Sequence, residues 1–313
     1  MTRVAAVDCG TNSIRLLVSD LDGRGKSDVH RDMRIVRLGQ GVDRTGLLAP
    51  EALERTRLAL VDYAATCAEL GVERTRMVAT SATRDAGNRA DFVALVEATL
   101  GVAPEVASGA EEAALSFTGA TAGLDPADGP FLVVDIGGGS TELVLGTERV
   151  DASLSVDIGC VRLTERHLRS DPPTAAEVEA ARKDVDAALT SVLEVVPAGQ
   201  ARTAIGLAGS VTTVAALALG LSSYDPVAIH LSRLSAEQVH DISASLLAMS
   251  RAERAALPVM HPGRVDVIGG GALVLAMVVE RLSLPEVVVS ESDILDGIAL
   301  SMGERESWPS PTG

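Results

Sequence analysis

Two short stretches carry the residue types that phosphate chemistry needs. VDCGTNS, Val7 to Ser13, and VDIGGGS, Val134 to Ser140, each place a carboxylate two residues before a glycine and a serine three residues after it, 127 positions apart. A glycine-rich turn exposes consecutive backbone N–H groups and lets the main chain approach an anion closely. Gly10, Thr11, Asn12 and Ser13 in one copy, and Gly137, Gly138, Gly139, Ser140 and Thr141 in the other, are the candidate phosphate-binding residues. The carboxylates Asp8 and Asp135 cannot help hold phosphate unless a cation lies between, and Mg²⁺ binds through one or two carboxylates together with waters and phosphate oxygens. Glu142, two residues past Ser140, points back to the same end of its hairpin, so Asp8, Asp135 and Glu142 are the candidate metal ligands. At the 127-residue offset Asp8/Asp135, Gly10/Gly137, Ser13/Ser140 and Leu16/Leu143 coincide, a repetition that a merely structural turn does not require.

A candidate general base comes from ASGAEEAALSF. Ser108-x-x-Glu111 has the form of a capping box, which turns Glu111 back to the Ser108 N–H. Glu112 then projects about 100° around the helix from Glu111, near a helix N-terminus where a carboxylate stays ionised. Arg84, in ATSATRDAG, follows a strand-like run; its guanidinium either bridges phosphate oxygens or pairs with Asp85. Arg37 lies in the RLGQGVD stretch, whereas Arg31 and Arg34 read as the charged face of an exposed strand. Cys9 has no partner base and is a small loop residue, and the five histidines lack metal-ligand spacing.

The elements that must position these residues follow from pattern. Strands are expected at Val4–Val7, Ile14–Ser19 and Met33–Leu38, with a turn at Asp22-Gly23. Pro50 opens a helix that ends at Leu70 before Gly71, and another runs from Asp91 to Leu100 before Gly101. ATAGLDPADGP, 120–130, is linker-like and sets the expected boundary between domains 1–125 and 126–313. The second half restarts with FLVVD, a glycine turn, ELVLG and a third strand near Ala152–Val156. Thr174-x-x-Glu177 and Ser235 with Gln238 mark capping boxes. Val265–Ile268 reads as a strand leading into Gly269–Gly271, with a helix from Ala272, and a last helix, about 297–313, is expected to pack back on the first domain. The turns at Ala208–Thr212 and Gly269–Gly271 either line the site or serve close packing.

Composition narrows the function classes. The 313 residues carry a net charge of −16, which discourages nonspecific binding to nucleic acid or anionic lipid. Of the 27 basic residues 25 are arginine, suited to oxyanions, so local arginines must meet an anionic substrate. Three cysteines without metal spacing fit a reducing cytoplasm, and the N-terminus lacks the pattern of a secretory signal. The uncharged run Thr203–Tyr224 is broken by glycines and hydroxyls and reads as strand, turn and buried helix, with no membrane span.

This duplicated α/β organisation resembles the actin and sugar-kinase superfamily, which implies two ribonuclease-H-like (actin-like ATPase) domains with a phosphate-binding cleft between them. VAAVDCGTNSIRLLV, RLGQGVDRTGLL, ATSATRDAGNRADF, ASGAEEAALSFTGA, VVDIGGGSTELVLG and DIGCVRLTERH, in that order, resemble the exopolyphosphatase and guanosine pentaphosphate phosphatase family over nearly the whole chain. The resemblance implies Mg²⁺-dependent hydrolysis of the terminal phosphate of inorganic polyphosphate, with Glu112 as catalytic base, Arg84 as a polyphosphate contact, and a homodimer. It leaves guanosine pentaphosphate as an alternative substrate, and a non-catalytic polyphosphate or alarmone sensor as an alternative of another class. Near the C-terminus the family commonly shows Leu-Arg-Glu-Gly, whereas this chain reads Ile294-Leu295-Asp296-Gly297, losing the arginine and shortening the acid.

Overall fold

A computed structural model describes residues 1–22 and 25–303. The turn expected at Asp22-Gly23 and the end of the last expected helix, 304–313, lie outside the described residues. The chain divides into two compact units, Met1–Ser108 together with the segment that starts at Ile294, and Gly109–Asp293. In the first come β1 (Thr2–Cys9), β2 (Ser13–Asp22), β3 (Gly25–Ile35), α1 (Val42–Thr45), α2 (Pro50–Glu69), β4 (Arg74–Ala79), α3 (Ser81–Asp85), α4 (Arg89–Leu100) and β5 (Glu105–Val106). The second runs through α5 (Gly109–Thr121), β6 (Phe131–Ile136), β7 (Thr141–Gly146), β8 (Val150–Val156), α6 (Cys160–His167), α7 (Ala175–Val195), β9 (Thr203–Leu207), α8 (Ala208–Ala218), α9 (Pro226–Ile229), β10 (Arg233–Ser235), α10 (Ala236–Ala248), α11 (Arg251–Ala255), α12 (Ile268–Arg281) and β11 (Glu286–Val289). Helix α13 (Ile294–Ser301) then returns to the first unit.

Both units are ribonuclease-H-like α/β folds with equivalent sheets. The first sheet has the order β3-β2-β1-β4-β5, and the second β8-β7-β6-β9-β11 with β10 added at the edge. In each, three antiparallel strands form a meander and the following strands lie parallel to the central one. The central strands β1 and β6 are near-continuous apolar runs because both faces are covered. The edge strand β3, GKSDVHRDMRI, is rich in charge, which blunts an open sheet edge. It ends at Ile35, earlier than the expected Leu38, because Val36 and Arg37 turn their amides to the Asn12 carbonyl and Arg37 adopts φ 50°.

The unit boundary falls before α5, not in the 120–130 stretch. Ala113, Phe117 and Ala120 of α5 pack with Phe131, Val133 and Val144 of the second sheet, so burial of that apolar face assigns the helix to the second unit. The linker-like residues form only the link from α5 to β6, including a 3₁₀ turn at Pro126–Asp128. Conversely, α13 packs on β1 and β2 and belongs with the first unit, as the expected return of the last helix requires.

Helix α7 starts in the expected capping box Thr174/Glu177 and buries Ala181, Val185, Leu189 and Val192, a stripe at helical spacing. The capping box at Ser235/Gln238 also forms, and Gly71 and Gly101 follow α2 and α4 with φ 67° and 75°. No strand forms over 265–268; Gly269, Gly270 and Gly271 lie inside α12. A Cβ at Gly270 would stand 2.8 Å from Thr164 Oγ1, and one at Gly271 2.1 Å from Ser210 Oγ. Gly270 and Gly271 therefore serve close helix packing against α6 and α8. Among the described residues no helix is long and apolar enough to cross a membrane.

Candidate active site

The two glycine loops have the same closure. Gly10 N–H donates to the Ser13 carbonyl at 2.9 Å between β1 and β2, and Gly137 N–H to the Ser140 carbonyl at 3.0 Å between β6 and β7. In the first loop the Thr11 hydroxyl oxygen is buried with no hydrogen-bond partner among the described residues. A buried hydroxyl in that state is poorly satisfied by the protein alone, and it suits a loop that meets an acceptor. Asn12 and Ser13 are partly exposed beside it, as are Gly137 and Gly138 in the second loop, while Gly139 and Ser140 are buried. Thr141 departs from expectation: its side chain is fully buried and its hydroxyl donates to the Ile158 carbonyl at 2.7 Å. It braces β7 against the chain after β8, which removes its side chain from the phosphate-binding set.

The carboxylates separate the two units chemically. Asp135 and Glu142 face each other across β6 and β7 in register. At the corresponding position of the first unit Asp8 faces Arg15, which donates from Nε at 2.9 Å and from Nη2 at 2.7 Å to Asp8 Oδ2. One unit thus holds a neutral ion pair where the other holds two acids. Glu112, in the first turn of α5, joins them: it is 8% exposed, Asp135 7% and Glu142 1%, whereas its neighbour Glu111 is exposed. Burial, then the neighbouring Glu112 and Asp135 carboxylates, push the Glu142 carboxyl well above its ordinary range, against hydrogen bonds from Ser155 and Ser140.

Two serines hold the acids in place. Ser116, one helical turn after Glu112, donates to Asp135 Oδ2 at 2.6 Å, and Ser155 on β8 donates to Glu142 Oε1 at 2.6 Å. Neither was legible as functional, although the i, i+4 spacing of Glu112 and Ser116 puts both on one face of α5. Arg15 did have a signal, since it aligns with Glu142 at the same offset that relates the loops. Among the described residues no three His, Cys, Asp or Glu side chains are arranged to hold a metal ion. Of the expected set Asp8, Asp135 and Glu142, Asp8 is held by Arg15 through Oδ2, and within the second unit Asp135 and Glu142 are the two carboxylates that could hold a divalent cation, which would relieve their mutual repulsion.

Arg84 sits on the short helix α3, half-buried, and its Nη1 donates to the Ala107 carbonyl at 2.9 Å. Asp296, the shortened acid of α13, is fully buried and receives Lys26 Nζ and Arg31 Nη2, each at 2.7 Å on Oδ1. Arg31 is thus more than a solvated strand residue: it ties β3 to α13. Arg34 pairs with Asp32 and Asp62 on the surface.

The model of the Ppx/GppA phosphatase family matches residues 17–306. Exopolyphosphatase 2 of Mycobacterium tuberculosis is 56% identical over 315 residues, spanning 96% of this chain and 99% of the relative. A crystal structure of an exopolyphosphatase-like protein is 46% identical with a TM-score of 0.94, covering 97% of this chain and 98% of that one. The Ppx/GppA family member from Aquifex aeolicus is 30% identical with a TM-score of 0.80, over 98% and 99% of the two chains. A duplicated strand-loop-strand unit, an acid trio beside its second loop and a match along almost the entire sequence converge on one conclusion: this chain belongs to the Ppx/GppA phosphatase family.

Proposed function

We propose that this chain is an exopolyphosphatase, a hydrolase that releases the terminal phosphate of inorganic polyphosphate. The observation that carries the reading is the setting of Glu112, a buried carboxylate in the first turn of α5 beside the Asp135–Glu142 pair, in the unit that holds the second glycine loop. Phosphoryl transfer asks mainly for positioning and neutralisation of charge. Mg²⁺ held by Asp135 and Glu142 would neutralise charge on the phosphoryl group. Glu112 takes the proton from the attacking water. The amides of both loops, with the Thr11 hydroxyl, bind phosphate oxygens, and the Arg84 guanidinium offers them a planar fork. Asp8, the third candidate ligand, keeps its ion pair with Arg15 through Oδ2.

Guanosine pentaphosphate presents the same anhydride chemistry but also a base to be held. With six aromatic residues in the chain, one of which, Tyr224, is bound through its hydroxyl to Thr212 and Glu291, stacking surface is scarce, and polyphosphate is the better fit. The same family reading carries a homodimer and a cytoplasmic setting, the first open to light scattering.

Phosphate release with Mg²⁺ from tripolyphosphate, long polyphosphate and guanosine pentaphosphate tests the reading. Glu112→Gln should lower turnover by at least about a hundredfold, the scale of general-base catalysis, while tripolyphosphate still binds. Wild-type turnover in that variant removes Glu112 as base. Binding without release by the wild type replaces the enzyme with a sensor.

A further inference from the structure

The two loops share more than their sequence. In the second, every glycine carbonyl is occupied from the start of α6: Cys160 N–H donates to Gly137 O at 2.9 Å, Val161 and Arg162 N–H to Gly138 O at 2.9 and 3.2 Å, and Gly159 N–H to Gly139 O at 3.2 Å. These donors are amides that a helix N-terminus leaves without intrahelical partners. In the first, Gly39 N–H donates to Thr11 O at 2.8 Å, and Val36 and Arg37 N–H donate to Asn12 O at 3.1 and 2.8 Å. Thr11 and Asn12 align with Gly138 and Gly139, and both anchoring segments follow the third strand of their meander, β3 or β8. A peptide plane whose carbonyl is fixed inward has its N–H fixed outward.

Each anchor contains a glycine with no room for a side chain. A Cβ at Gly159 would lie 2.3 Å from the carbonyl carbon and oxygen of Gly138 and 2.4 Å from the Gly139 nitrogen, all main-chain atoms. A Cβ at Gly39 would lie 2.3 Å from Thr11 Cγ2 and 3.1 Å from Ala82 Cβ. The first obstacle can be relieved only by moving the loop; at the second the severe contact is with the Thr11 Cγ2 methyl, which rotation relieves, leaving the Ala82 and Thr11 Cβ contacts at 3.1 and 3.2 Å to be met by a small shift.

We propose that Gly159 with the first turn of α6, and Gly39 in the first unit, are positioning residues that hold the two loops with carbonyls inward and amides outward, ready for phosphate oxygens. The proposal rests on the reading of these loops as phosphate-binding. It extends the duplication to a third component, and it ranks the two sites: the second loop depends on its anchor more strongly than the first.

The test is the KM and kcat of the full chain on tripolyphosphate, with far-UV circular dichroism and thermal unfolding to follow the fold. Gly159→Ala should raise KM roughly tenfold or more, and by more than Gly39→Ala, with a smaller change in kcat. A merely structural effect would lower the active fraction, and hence kcat, and leave KM unchanged. Should Gly159→Ala fail to fold, a second pair decides. Proline is tolerated at the first position of a helix, and Gly159, at φ −90° and ψ 165°, suits a residue before proline. Cys160→Pro therefore removes the N–H that holds Gly137, while Cys160→Ala keeps it and loses only the thiol. KM for the proline variant should exceed that of the alanine variant roughly three- to tenfold, the worth of one hydrogen bond. Equal KM values in that pair, or wild-type KM in a folded Gly159→Ala, overturn the positioning role while leaving the function intact. A wild type that neither binds nor hydrolyses tripolyphosphate overturns both.

Discussion

A carboxylate sealed from water and facing two others is hard to ionise, and Glu142 is in that position. In the unfolded chain it loses its proton in the ordinary carboxylate range; in the fold it holds the proton to higher pH. The unfolded state therefore sheds its proton first, and the cation-free protein loses stability as pH rises from that range up to the raised value of the folded group. Denaturant unfolding in a chelator at a series of pH values should show this decline, with a flatter profile in Glu142→Gln. An unchanged slope in that variant would mean that Glu142 is ionised at no penalty. Added Mg²⁺ should restore part of the lost stability in the wild type, because it stabilises the ionised form. Arg15 supplies a fixed positive charge at the equivalent position of the other unit, so Asp8 shows how the same strand pair looks with its charge already balanced.

Two elements depend on their ends. The capping box of α7 joins Thr174 and Glu177, and the hydrogen bond from the Thr174 backbone, with those from the Thr174 hydroxyl and Ser170, outweighs desolvation and holds the Glu177 carboxyl down to about 2. Its contribution is present above the unfolded carboxylate range and is lost as pH falls through about 2. In Thr174→Ala the Glu177 titration followed by NMR should move up towards the ordinary range; a value still near 2 would show that Ser170 and the backbone suffice. Helix α13 is tied down by Asp296, buried under Lys26 and Arg31. Asp296→Asn should cost about 1–3 kcal/mol, below the full penalty of breaking a buried ion pair because both cations reach solvent. A thermal midpoint unchanged from wild type would rule the clasp out as a source of stability. The acid that is shortened relative to the family's usual residue thus has a structural partner set of its own.

For the molecule as a whole, a net charge of −16 repels a polyanion at long range, and under the proposed function the loop amides and Arg84 would attract it at short range. Screening removes the long-range part first, since the Debye length falls from about 30 Å at 0.01 M salt to about 10 Å at 0.1 M. KM for polyphosphate should therefore fall over that interval at fixed Mg²⁺; a steep rise instead would point to binding dominated by surface cations. By itself the sequence determined the features written as local periodicity or repetition: the two strand-loop-strand units, the capping boxes of α7 and α10, the helical stripe of α7, and Glu112 as the inward member of its pair. It also held, in the alignment of Arg15 with Glu142, the asymmetry between the units. Tertiary structure alone decided which partners those residues met. Thr141 lost its hydroxyl to Ile158, the triple glycine became a helix face against Cys160, Thr164 and Ser210, and α5 joined the second unit through Phe117. The division has a physical cause: a loop's shape follows from short-range backbone geometry, whereas the use of a hydroxyl, a glycine or an apolar face depends on what the fold brings against it from far along the chain.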